Sequence, residues 1–121
     1  MLFNAGSIPI VFLSFNEPNY LDNLKHLQKF RPDVLHVHGI KGSDTAHKQV
    51  AKTVIEQYPN STHVIIIDGD NKVHEDFFNY SCNINDDIDT NNYVLSFSAR
   101  NTVNGNQYGN GSIKVWPVQL L

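Results

Sequence analysis

Cysteine is almost missing from this chain: Cys82 stands alone in 121 residues, so no internal disulfide is available. That usage fits a reducing compartment, and Cys82 itself reads as a bystander rather than a nucleophile. Basic residues are also short, with 9 Lys and Arg against 12 Asp and Glu and a formal charge of -3. Net charge therefore gives no reason to expect a nucleic acid or an anionic membrane face as partner. A bound phosphate is expected to arrive with its own cation. Long apolar runs are lacking as well, since nothing approaches the roughly 20 apolar residues of a membrane helix. The apolar stretch within residues 1–15 has no basic start, carries Pro9 and offers no small-residue cleavage site, so it reads as a strand and not a leader. A cytoplasmic, soluble protein is the expectation. Repeats and low-complexity tracts are absent. The length suits one domain over 1–121, enough for a single core.

What is present alternates strand and helix. Residues 8–15 are continuously apolar and β-prone, with Pro9 where a missing N–H is tolerated. Asn16-Glu17-Pro18 offers a capping side chain and an early proline, and Tyr20, Leu21, Leu24 and Leu27 follow at helical spacing. This predicts a helix over 18–30, stopped before Pro32. Residues 34–40 form a second strand with Val34, His36, His38 and Ile40 on one face. Asp44 is placed to cap a second helix whose stripe is Ala46, Val50 and Val54, ended by Pro59-Asn60. The run His63 to Ile67 then reads as a buried central strand. Two successive βαβ units make these three strands parallel. A short helix over 75–80, a polar loop over 83–92 and strands over 93–99 and 113–116 complete the reading, with a glycine-rich connection over 104–111. The class is α/β: a Rossmann-like, mostly parallel sheet flanked by helices.

Function is written where the central strand stops. Ile67-Asp68-Gly69-Asp70 puts two carboxylates, one residue apart, at the carboxyl edge where open α/β sheets bind ligands. Residues i and i+2 of an extended segment point the same way, so Asp68 and Asp70 can converge on Mg²⁺ or Mn²⁺. Gly69 then allows a diphosphate to approach the backbone. The plainer alternative is an Asp-Gly turn closing a core strand. The same edge gathers Ser14, Phe15, Asn16, Glu17 and His38. His47 and Lys48 face it from the second helix, Lys48 being either a phosphate ligand or a solvated lysine. His36-x-His38 reads as a polar strand face, with zinc as the lesser alternative for want of further ligands. His74 is either a late metal ligand or a surface residue.

With those stretches in view, the chain resembles the nucleotide-sugar-dependent glycosyltransferases of the GT-A fold. Val11-Phe12-Leu13-Ser14-Phe15-Asn16-Glu17-Pro18 looks like that family's first strand and nucleotide-contacting turn. Ile65-Ile66-Ile67-Asp68-Gly69-Asp70 is similar to its metal-binding DxD strand, and Tyr108-Gly109-Asn110-Gly111-Ser112 with Ile113 to Trp116 to its donor-closing segment. The resemblance implies a UDP-sugar donor, an unidentified acceptor and Mn²⁺ or Mg²⁺ held by Asp70 first and Asp68 second, Asp68 also reaching the ribose. It implies donor-nucleotide contacts from Ser14, Phe15, Asn16, Glu17, Lys48, Asp68, Gly69 and Asp70. Phe15 would stack on the base, or else be a core aromatic. Arg100, Gly109, Gly111 and Lys114 would meet the sugar or diphosphate.

The pattern also departs from that family. No Asp, Glu or His follows Arg100, and no carboxylate occupies a position equivalent to the family's general base. The expectation is a minimal transferase with slow turnover, a fragment, or a nucleotide-sugar binding module without catalysis. A phosphohydrolase of the haloacid dehalogenase type also shows DxD after a strand, with the first aspartate as nucleophile. Against it, that motif normally ends the first strand, and Lys72 stands where Thr or Ser is expected. The apolar stretch Val115 to Val118 is either a self-association surface, making a homo-oligomer, or a strand completing the core.

Overall fold

A computed structural model of the chain describes residues 2–79, 81–83, 94–97, 99, 100, 107, 108 and 113–121, of which 2, 3, 81–83, 99, 100, 107 and 108 are described as backbone. In chain order the elements are β1 (Leu2–Asn4), β2 (Ile10–Ser14), α1 (Tyr20–Gln28), β3 (Leu35–His38), α2 (Ser43–Gln57), β4 (His63–Asp68), a short 3₁₀ turn (Glu75–Asn79), β5 (Ser81–Asn83), β6 (Leu95–Ser96), β7 (Ala99–Arg100), β8 (Gln107–Tyr108) and β9 (Ile113–Pro117). Five strands form the main sheet in the order β3-β2-β4-β9-β6. β2 pairs in parallel with both β3 and β4, as the βαβ pattern requires. β9 runs antiparallel to β4, and β6 antiparallel to β9, so the sheet is mixed rather than mostly parallel. β1 with β5, and β7 with β8, make separate two-stranded ribbons.

The alternation of side chains across a strand divides the core in two. Ile10, Phe12, Ile65, Ile67 and Val115 face α1 and pack with its Leu24 and Leu27. Val11, Val64, Ile66 and Val37 face the other way, against Val50 and Val54 of α2. A continuous apolar run in β4 is therefore what a strand covered on both faces demands. Fully burying one such side chain contributes about 1.5–3 kcal/mol before the entropy of ordering it is counted. The 115–118 stretch is spent on this core: Val115 and Pro117 are buried, and Trp116 and Val118 pack against the α2 cluster.

Several local expectations are corrected. α1 starts at Tyr20 rather than Pro18; its N-cap is Asn19, whose side chain makes no capping bond, so Asn16 does not cap it. α2 starts at Ser43 with Gly42 as N-cap, which leaves Asp44 inside the first turn rather than ahead of it. There its carboxylate pairs with Lys48 one turn on, at 3.0 Å. Ile40 does not share a face with His36 and His38. Gly39, at φ 78, turns the chain after β3 and sends Ile40 into the α2 cluster. Arg31, which the sequence reading passed over, is buried. It donates to Ala5 O and Ile8 O and pairs with Asp33 at 2.9 Å, fastening the segment before β2 to the end of α1. Among the described residues no helix is long and apolar enough to cross a membrane.

Candidate functional site

The sheet order places β3 on one side of β2 and β4 on the other, so the two crossovers diverge at the carboxyl end of β2. Such a reversal opens a crevice beyond the strand ends. Here the crevice measures about 400 Å³. Leu13, Ile66 and Trp116 form its apolar floor, on the face that α2 covers. Ser14, Phe15 and Glu17 approach it from the end of β2, and Asp68 from the end of β4. Opposite them stand Ile40, Lys41 and the first turn of α2, with Gly42, Ser43, Ala46 and His47; Lys114 comes from β9.

This wall is suited to an anion. The first N–H groups of a helix have no partner within it, and the N-cap of α2, Gly42, has no side chain to offer them. Lys41 and Lys114 add two cations. The facing wall carries the carboxylates of Glu17 and Asp68. Glu17 is already engaged: its oxygens accept the Phe15 N–H at 2.8 and 3.2 Å, which holds the turn so that Phe15 stays half exposed at the rim. His47 donates its Nδ1–H to Ser43 O at 2.7 Å, a bond that leaves Nε2 as the ring's proton acceptor. Its ring lies 5.6 Å from that of Trp116, whose indole N–H is buried with no acceptor among the described residues.

The turn after β4 differs from the extended pair expected of Asp68 and Asp70. Asn71 N–H donates to Asp68 O at 3.1 Å, so Asp68-Gly69-Asp70-Asn71 is a β-turn, and the two-residue alternation stops with the strand. Asp68 borders the crevice, whereas Asp70 is exposed, accepts from Asn71 Nδ2 at 2.9 Å and is absent from the crevice wall. Gly69 does not line it either. A Cβ there would lie 2.9 Å from Ser14 Cβ and 3.0 Å from Glu17 Cδ and Oε1, so the glycine serves the close packing of β4 on β2. Its N–H donates to Leu13 O, and its carbonyl accepts from the buried Asn23 of α1 at 3.0 Å. His26, one turn further along α1, bonds Val73 O at 2.9 Å, so α1 braces the turn at both ends.

Of the sequence-named residues, then, Ser14, Phe15, Glu17, His47, Asp68 and Lys114 meet in the crevice. Asn16, His38, Lys48, Gly69 and Asp70 do not line it, Lys48 being held outward by Asp44. Gly109 and Gly111 lie outside the described residues, as does the side chain of Arg100. His74 is exposed beside Asp76 at 3.5 Å. The sequence reading missed Lys41, Gly42 and Ser43; the pair Gly39 and Gly42, flanking Lys41, was the signal that the chain bends there. Among the described residues no group of three or more His, Cys, Asp or Glu is arranged around a common metal position. A hard cation that takes its remaining ligands from phosphate and water needs only one or two carboxylates. Asp68 fits that requirement.

Behind the crevice, Ser14 Oγ lies 2.7 Å from both His36 Nε2 and His38 Nδ1. Burial first, and the neighbouring His38 second, hold the His36 imidazole below its ordinary value. Tyr20 stacks on His38 with ring centres 4.7 Å apart.

No protein-family model matches this sequence, and no curated protein matches it. Among solved structures, the chain is similar to a glycosyltransferase involved in the glycosylation of the major capsid of PBCV-1, with a TM-score of 0.45 and 13% identity. The match covers 93% of this chain and 63% of the other, so the chain spans less than two thirds of that protein's length.

Proposed function

We propose that this chain is a glycosyltransferase domain that binds a nucleoside-diphosphate sugar, as its Mn²⁺ or Mg²⁺ complex, in the crevice between β2, β4 and α2. The observation that carries the reading is the pairing of an uncapped helix start and two lysines with a carboxylate across one cavity at the sheet reversal. The lysines and the α2 N–H groups suit a diphosphate. Phe15, exposed at the rim, offers a stacking face for the base. Asp68 holds the metal in this reading, and the metal supplies positive charge to the departing diphosphate. His47, its tautomer set by Ser43 O, accepts the proton of an acceptor hydroxyl at Nε2. The resemblance of the 11–18 and 65–70 stretches to the GT-A enzymes supports a UDP donor. The phosphohydrolase alternative needs Asp68 and Asp70 over one substrate, which the outward position of Asp70 disfavours.

The test is thermal unfolding with UDP, GDP, CDP and ADP, each with Mn²⁺ and with a chelator, followed by UDP release from a UDP-sugar. UDP is expected to stabilise the protein chiefly with metal present, by about 2.7 kcal/mol at 100 times the dissociation constant. No stabilisation by any nucleotide would end the donor-site reading, and equal shifts with and without metal would remove the cation from it.

A further inference from the structure

We propose that His36 and His38 form a second metal site, selective for a borderline transition cation such as Zn²⁺ or Cu²⁺, on the opposite side of Ser14 from the crevice. Histidines two apart on a strand share a face, but on an exposed strand their rings ordinarily rotate freely. Here they do not. His36 Nε2 and His38 Nδ1 both converge on one atom, Ser14 Oγ, at 2.7 Å each. The parallel register fixes this, setting Phe12 beside His36 and Ser14 beside His38. Tyr20 stacked on His38 blocks one further rotation.

The convergence has a chemical consequence. A serine hydroxyl has one proton, so it donates to one imidazole nitrogen and accepts from the other. At least one lone pair therefore already points at the shared position, and a change of tautomer supplies the second. The ring centres are 5.5 Å apart. Two imidazoles bound to one tetrahedral ion at about 2.0–2.1 Å set their ring centres roughly 5 Å apart, so the rings need little movement, and Ser14 Oγ, which holds the shared point, must rotate away as the ion takes its place. Neutral imidazole is the ligating form. Both side chains are exposed on the edge strand β3, which leaves an entry path and free positions for water. Imidazole nitrogens select zinc, copper or nickel over the oxygen-seeking Mg²⁺, so this site and Asp68 would take different ions.

Titrating the full chain with Zn²⁺ alone, without nucleotide, tests this by calorimetry and by ring-nitrogen chemical shifts. One Zn²⁺ per chain is expected, with shifts at His36 Nε2 and His38 Nδ1. Loss of an outer partner of a metal ligand already costs about 10- to 100-fold in affinity, so His36→Gln and His38→Gln should each weaken binding by at least about tenfold. His74→Gln, an exposed histidine elsewhere, should leave it unchanged. Undiminished binding in the His36→Gln/His38→Gln double variant, loss of binding in His74→Gln, or no saturable binding by the unsubstituted protein would each overturn the proposal. The nitrogen shifts of the unsubstituted chain decide the matter if a variant fails to fold.

Discussion

Replacing Gly69 with alanine forces a methyl group into a space that the structure does not have. The added Cβ would stand 2.9 Å from Ser14 Cβ and 3.0 Å from Glu17 Cδ, against the roughly 3.5–4.0 Å at which carbon atoms rest. Glu17 can swing aside, at the loss of its bonds to the Phe15 N–H. Ser14 has no such freedom. It is 2% exposed, its Oγ lies between two imidazoles and its carbonyl accepts the Gly39 N–H. Overpacking of this kind costs about 1–3 kcal/mol. Gly69 is not among the positive-φ glycines, so alanine also restricts the unfolded chain, returning about 0.4–1 kcal/mol. At mid-range values the net is a loss of about 1–2 kcal/mol. For a domain of this size that lowers Tm by about 3–10 °C. Thermal and urea unfolding read it directly. A Tm at or above that of the unsubstituted protein would refute the packing argument, and a normal Tm with lost UDP binding would restore Gly69 to the role of admitting a phosphate.

Asp68→Asn should abolish the metal dependence of nucleotide binding, whereas Asp70→Asn should change it less than about threefold (~0.6 kcal/mol), as suits a surface carboxylate; metal titrations in the presence of UDP compare the two, and the reverse ranking would return the metal to the turn. Arg31→Ala leaves the buried Ala5 carbonyl and the Ile8 carbonyl without their donor, so a loss of about 3 kcal/mol is expected in urea unfolding, and a loss under about 1 kcal/mol would show that water replaces the guanidinium. The Asp33 carboxyl is held below its ordinary value, chiefly by its hydrogen bond to Arg31 and further by that residue's charge, with burial opposing. Its contribution is therefore complete above the ordinary carboxylate value near 4 and is lost as pH falls through the lowered one; Asp33→Asn should flatten that acid limb, and an unchanged limb would assign it to other carboxylates.

The parts of the fold that were legible in the sequence are those fixed by short-range pattern. Val64 to Ile67 is apolar on both faces because α1 and α2 cover both, and a continuous run is the direct imprint of that. Ala46, Val50 and Val54 announced the buried stripe of α2 in the same way. The site was legible only as far as the strands reached. Asp68 follows the strand rule and borders the crevice, but Asp70 lies one turn beyond, where a hydrogen bond from Asn71 N–H to Asp68 O replaces alternation. Lys48 carried the right charge on the right helix, yet pairing one turn back to Asp44 draws it outward. Lys41 escaped notice because its place depends on where the crossover from β3 passes relative to β4, a distance along the chain that no local pattern encodes. Arg31 escaped for a similar reason, since its partners at Ala5 and Ile8 lie over twenty residues earlier.

The seat of β9 sets an order in time. β2, β3 and β4 are joined by short crossovers, whereas Ile113 to Pro117 must find His63 to Ile67 across a connection of 44 residues, 69–112. Each doubling of a closed loop adds only about 0.6 kcal/mol of entropic cost, but contacts that are remote in sequence slow the search. The three parallel strands and both helices can therefore assemble as an early nucleus while β9 is still unpaired. Lys114 and Trp116 ride on β9, so the nucleus holds the α2 start and Asp68 without the last wall. In a refolding experiment, helix signal should return before the proposed nucleotide binding does. A chain emerging from the ribosome would pass through the same interval, shaped as a sheet yet with its crevice still open on one side.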